Sequence, residues 1–185
     1  MKFKNPFREK SISWHSEFIW NLSKTIAPDV YAELGIYEGE TFNRVTANLR
    51  IAVDINPVSL DFIAKHPNVI KVSGNSQKLK EYLDQHSLHL DLLFIDADHM
   101  QDSVISDFTI LENFMSWKGI ILLHDTFPGS PEMASAKYCG DGYLAVPRLR
   151  KLFPSWNFVT LPIHPGLTIA SRIDLLPPWV NASEL

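Results

Sequence analysis

The sequence predicts an α/β chain with a doubly wound sheet of seven strands and helices on both faces. Three observations point to it. Four short runs, apolar nearly throughout, end in a carboxylate: Val30-Tyr-Ala-Glu33, Ile51-Ala-Val-Asp54, Leu92-Leu-Phe-Ile-Asp96 and Ile120-Ile-Leu-Leu-His-Asp125. Such runs suit strands buried on both faces, as in a parallel sheet. Segments of helical character alternate with them, the signature of linked βαβ units. The alternation then closes in two strands whose connection, around His164-Pro165-Gly166, is too short for a crossover, so they must be antiparallel.

Each element has its own reason. Trp14, Phe18, Ile19 and Leu22 recur at helical spacing, which predicts a helix over 13–26, closed by Pro28. The first strand, 30–34, leads through a glycine-bounded turn into a predicted helix over 39–49. Strand 51–54 follows, and Pro57, suited to a first helical turn, starts a helix to about 65. Strand 69–72 ends at Ser73-Gly74, and a polar helix occupies 76–86. Strand 92–95, a helix over 102–115 and strand 120–123 complete the parallel part. Residues 126–142 carry Pro128, Gly129, Pro131, Gly140 and Gly142 without periodicity, and a stretch like that inside a domain reads as a functional loop. A helix over 143–153 and strands 158–161 and 167–170 end the core.

At 185 residues the chain fits a single domain, 1–185, with its core at about 30–172. Its 45% hydrophobic and 21% charged residues are those of a soluble globule. A net charge of -4 argues against nucleic-acid binding, which needs a basic face. No apolar run approaches the roughly 20 residues of a membrane helix, and the polar, basic start does not resemble a signal peptide. The lone Cys139 cannot pair internally, so the expected compartment is the cytoplasm. A homo-oligomer is compatible with the sequence.

In open α/β sheets ligands bind beyond the carboxyl ends of the strands, where the four acids gather. Glu33-Leu-Gly35-Ile36-Tyr37-Glu38-Gly39 departs from the dinucleotide fingerprint, because Tyr37 stands where a second glycine would admit a pyrophosphate. Glu38 and Glu40 add negative charge where a phosphate would sit, so a nucleoside ligand without phosphates, and with positive charge, suits the loop better. Asp54, about 20 residues beyond Gly35, is placed to accept from ribose hydroxyls. Ile55 can flank the ligand, and Gly74-Asn75-Ser76 can hold a base edge or cap the next helix. Asn56, ahead of Pro57, reads as a helix cap.

Asp96, Asp98, His99, His124 and Asp125 form the second constellation. Asp96 and Asp125 on one rim suit magnesium or calcium, and His124 shifts the choice toward manganese or zinc. The alternative is one acid capping a helix and the other a buried partner of His124. His99 can take a proton from a substrate hydroxyl near neutral pH.

Together these motifs resemble class I S-adenosylmethionine-dependent methyltransferases, in the small branch with macrolide-sugar O-methyltransferases and cephalosporin-hydroxylase-like proteins. The resemblance covers about 30–172 and implies a Rossmann-like sheet of order 3-2-1-4-5-7-6. It implies that the segment Glu33 to Gly39 lies against the methionine part of the cofactor and that Asp54 binds its ribose. Ile55, Gly74, Asn75, Ser76 and Asp96 complete the expected cofactor site. It further implies that Asp96 and Asp125, with His124 where relatives have an acid, hold a divalent ion, and that His99 is the general base. The expected reaction is methyl transfer to a hydroxyl of a small acceptor, a sugar or a polyphenol. Two rivals remain: a metal-dependent hydrolase using the Asp96, Asp98, His99, His124 and Asp125 cluster, and a non-catalytic nucleoside-binding module.

Overall fold

The computed structural model describes residues 12–172. Its central strand, β1 (Val30–Leu34), is buried at every position. Parallel neighbours β2 (Leu49–Asp54) and β4 (Leu90–Ile95) flank it, β3 (Val69–Ser73) lies outside β2, and β5 (Met115–His124) pairs in parallel with β4. Strands β6 (Asn157–Leu161) and β7 (Leu167–Ser171) form an antiparallel hairpin, with β7 against β5. The seven-stranded order is 3-2-1-4-5-7-6, as the resemblance implies.

Side chains alternate across the sheet and build two cores. On one face Ala32, Ile51, Val53, Leu93 and Ile121 meet α3 (Ser76–His86), α4 (Gln101–Leu111) and α5 (Ala145–Leu152). On the other, Tyr31, Ala52, Leu92, Phe94 and Leu122 meet α1 (Trp14–Ile26) and α2 (Pro57–Asp61). Truncating a buried leucine to alanine in either core costs about 2–5 kcal/mol. The same alternation carries Glu33, Asp96 and His124, each two residues beyond Tyr31, Phe94 and Leu122, to the α1 side of the rim.

The expected helix over 39–49 is a correction: the segment forms turns, and β2 already begins at Leu49. Its threonines dock on α1 instead. Thr41 Oγ1 lies 2.6 Å from Ser16 Oγ, and the Thr46 amide donates to Ser23 Oγ at 3.2 Å. The serines are two turns apart on α1, a rise of about 10 Å, whereas a helix from 41 to 46 would rise only about 7.5 Å. The segment must stretch to reach both. Helix α2 also stops early, at Asp61, because Lys71 Nζ and Asn43 Nδ2 take the Leu60 and Phe62 carbonyls at 2.6 and 3.2 Å. Helix α4 ends at Leu111 and tightens into a 3-10 turn, Glu112–Phe114, where Arg172 Nη2 donates to the Glu112 carbonyl at 2.6 Å. Among the described residues no helix is long and apolar enough to cross a membrane.

Candidate active site

The β1 turn is built on a backbone approach that only glycine permits. Gly35 has φ +84°, and a Cβ there would lie 2.1 Å from the Asp96 carbonyl oxygen. Asp54 fastens the same turn: its Oδ2 accepts from the Ile36 amide at 2.8 Å and the Tyr37 amide at 3.3 Å, and its Oδ1 from Asn56 at 2.8 Å. Tyr37 holds φ +49° and is exposed.

Two cavities meet at Gly35. The larger, about 530 Å³, is lined by Asp54, Ile55, Gly74, Asn75 and Ser76 among others, with Asp98 ahead of α4 and Asp107 on it. The smaller, about 240 Å³, lies on the α1 side and takes in Glu33, Ile36, Tyr37, Asp96 and His124. Gly39 lines neither cavity; it sets a turn at φ +72°. Asn75 caps α3, accepting from the Lys78 amide at 3.4 Å, and Asn56 caps α2. Glu33 is buried and takes a hydrogen bond from the Tyr31 hydroxyl; burial raises its carboxyl well above the usual range despite that bond.

Beyond β4 and β5 the ionisable groups fall into two converging sets that share Asp96: His15, Asp96 and His124, and Asp96, His99 and Asp125. The expected metal trio, Asp96, Asp125 and His124, is thus spread over both. His124 Nδ1 donates to Asp96 Oδ1 at 2.8 Å and lies 3.4 Å from Asp125 Oδ1. Burial disfavours the charged ring of His124, but Asp96 outweighs it by charge and hydrogen bond and raises the pKa. His99 Nδ1 stands 2.5 Å from Asp125 Oδ2, and this hydrogen bond, against opposing burial, raises His99. Burial works to raise Asp125, yet the bond from His99 and the nearby His124 hold it low.

The 126–142 loop closes over this pair. The Gly142 amide donates to the His99 carbonyl at 2.8 Å, and the Gln101 amide donates to Asp141 Oδ1 at 2.6 Å. Cys139 is hydrogen-bonded to Asp125, and burial together with that carboxylate pushes its thiol up to about 12. Asp98 lies just ahead of α4, accepting from Met100 N at 3.2 Å and Ser103 Oγ at 2.7 Å.

A family model described as "Methyltransferase domain" (Methyltransf_24) matches residues 32–126, from β1 to just past β5. The chain belongs to this methyltransferase family. Its fold is shared with the SAH-bound methyltransferase PaMTH1 of Podospora anserina, at TM-score 0.66 and 17% identity over 86% of this chain and 78% of that one. The O-methyltransferase TomG of Streptomyces achromogenes, in complex with SAM, superposes at TM-score 0.65 and 13% identity, covering 85% and 78% of the two chains. The uncharacterized protein R132 of Acanthamoeba polyphaga mimivirus is 28% identical over 142 residues, which cover 66% of this chain and 64% of R132. The chain thus spans about 64% of the length of that curated relative.

One residue of this rim escaped the sequence reading. His15 Nδ1 of α1 lies 3.2 Å from His124 Nε2, with the two rings 4.2 Å apart between centroids. Burial, reinforced by His124, lowers its pKa to about 4. A signal existed: His15 falls on the same helical stripe as Phe18, Ile19 and Leu22, where a histidine faces the sheet.

Proposed function

We propose that the chain transfers a methyl group from S-adenosylmethionine to a hydroxyl of a small acceptor, a sugar or a polyphenol. The observation that carries this reading is the pair of cavities meeting at Gly35. The larger suits an adenosine, with the Asp54 carboxylate for the ribose hydroxyls and Ile55, Asn75 and Ser76 beside the base. The smaller suits the methionine end, where buried Glu33 and the Ile36–Tyr37 backbone meet a positively charged group. A side chain at position 35 would collide with the Asp96–Ala97 backbone and force the turn between them apart. Both the SAH-bound and the SAM-bound proteins of the same fold support this ligand.

When bound, the cofactor supplies an electrophilic methyl on a sulfonium. The chain's own residues supply the base. Asp125 holds His99 by Nδ1, fixing the ring's tautomer and strengthening its basicity, so that Nε2 takes the acceptor's hydroxyl proton. The loop carrying Gly142 and Cys139 holds this dyad in place, through the His99 carbonyl and the Asp125 carboxylate. The donor chemistry also fits the divalent ion implied by the resemblance. Asp96, Asp125 and His124 would hold it, and it would lower the hydroxyl's pKa.

The test is methyl transfer from labelled cofactor to a panel of vicinal-diol sugars and catechols, read by mass spectrometry. The expected result is a methylated hydroxyl, lost in His99→Gln. Full-rate transfer in both His99→Gln and Asp125→Asn would contradict the chemistry. Cofactor binding with no transfer to any acceptor would favour the nucleoside-binding module.

A further inference from the structure

We propose that Asp107 of α4 reads the base of the bound nucleoside: its carboxylate accepts from the exocyclic amino group of an adenine and so selects adenosine over inosine. The proposal deepens the methyl-transfer reading and rests on it for the presence of a purine nucleoside in the larger cavity.

The geometry of α4 sets the wall of that cavity. Val104, Phe108 and Leu111 are its buried positions and pack into the core. Ser103, Asp107 and Ile110, three or four residues apart, share the stripe that lines the 530 Å³ space. Asp107 is half-buried there, and burial raises its carboxyl above the usual range, with a hydrogen bond from the Ser76 hydroxyl opposing. Among the described residues no ion pair takes up its charge. An acid held in such a wall is costly unless it meets a further donor.

The other acids of the lining are already engaged. Asp54 accepts from the Ile36, Tyr37 and Asn56 amides at the ribose end. Asp98 accepts from the Met100 amide and the Ser103 hydroxyl. Asp102 is exposed, with its Oδ1 3.6 Å from Arg148 Nη1. The side-chain oxygen of Asn75 is spent on the Lys78 amide. With the Ser76 hydroxyl as partner, Asp107 keeps acceptor capacity for a ligand.

Among the described residues no lysine, arginine or histidine lines this cavity, so the ligand has to bring the donors. Adenine brings an amino group. Hypoxanthine carries an oxygen at the same position, which would face the carboxylate acceptor to acceptor. A site built to pair with an amino group discriminates against the analogue that lacks it, because its own acceptor is then left unpaired.

The test titrates the full chain by calorimetry with S-adenosylhomocysteine, S-inosylhomocysteine, adenosine and inosine. The parent is expected to bind each adenine ligand at least about 10-fold more tightly than its hypoxanthine counterpart. In Asp107→Ala the adenine ligands should weaken by about 10–100-fold, and the discrimination should fall below about threefold. Asp107→Asn, which keeps the shape and can turn an N–H toward the hypoxanthine oxygen, should bind S-inosylhomocysteine more tightly than the parent does. A merely structural carboxylate would not produce that gain. Circular dichroism checks folding, and Asp107→Asn alone decides if Asp107→Ala does not fold. Unchanged discrimination in the folded variants, or a parent that binds both bases equally, would overturn the role of Asp107 and leave the methyl-transfer reading standing. Adenosine bound and discriminated through Asp107, with no binding of S-adenosylhomocysteine, would keep that role and remove the methyl-transfer reading. A parent that binds none of the four would overturn both.

Discussion

Gly35 and Asp96 meet backbone to backbone: a Cβ on Gly35 would lie 2.1 Å from the Asp96 carbonyl oxygen and 2.8 Å from Ala97 Cα. At φ +84° a side chain there also meets backbone strain. Gly35→Ala is expected to lose about 3 kcal/mol of stability in urea unfolding, along with most cofactor affinity. Gly129→Ala, whose nearest neighbour is a movable His164 side chain at 3.3 Å, should lose less than about 1 kcal/mol.

Glu33 makes stability depend on pH in an unusual direction. Burial raises its folded-state pKa above the ordinary 4.5, so the folded chain holds that proton more tightly than the unfolded one. This carboxyl's contribution therefore declines as pH rises from 4.5 through the folded-state value. Glu33→Gln is expected to be more stable than the parent at pH 8, with the difference shrinking toward pH 4.5. Its cofactor affinity should nonetheless fall. Urea midpoints at the two pH values and calorimetry check both parts.

His99 and Asp125 act as one unit, joined at 2.5 Å. His99→Gln should lower kcat by about 100-fold or more, with S-adenosylhomocysteine affinity little changed. The His99→Gln/Asp125→Asn double variant should be hardly slower than His99→Gln alone, because the acid works through the imidazole. Additive losses in steady-state kinetics would separate the two roles.

The loop is expected to act through the backbone. Gly140 has φ +60°, and a Cβ there would lie 2.3 Å from the His99 carbonyl oxygen. Gly140→Ala should push the loop off His99, lowering kcat by about 100-fold while cofactor binding persists. Faster proteolysis within 126–142 would report the same displacement.

The sheet was legible because burial on both faces leaves runs such as Leu92 to Ile95 almost purely apolar, and no helix shares that pattern at such short length. Helix 76–86 matched at both ends, since Asn75 caps it and its polar face keeps helical period. The segment after Gly39 was misread for a tertiary reason: Thr41 and Thr46 answer to Ser16 and Ser23 of α1, and local propensity says nothing about that partner. Asp54 and Gly35 could be found because a strand end and a turn glycine are local features. His15 could not be joined to His124 without the fold, since 109 residues separate them.

The most direct measurement is calorimetric titration of the purified chain with S-adenosylhomocysteine, with NAD as control and Asp54→Ala alongside. Saturable binding of S-adenosylhomocysteine alone is expected, weakened at least about 30-fold in Asp54→Ala, which loses the ribose acceptor and the anchor of the Ile36 and Tyr37 amides at once. No heat from S-adenosylhomocysteine, or equal binding in Asp54→Ala, would contradict a methyl-donor site around Gly35.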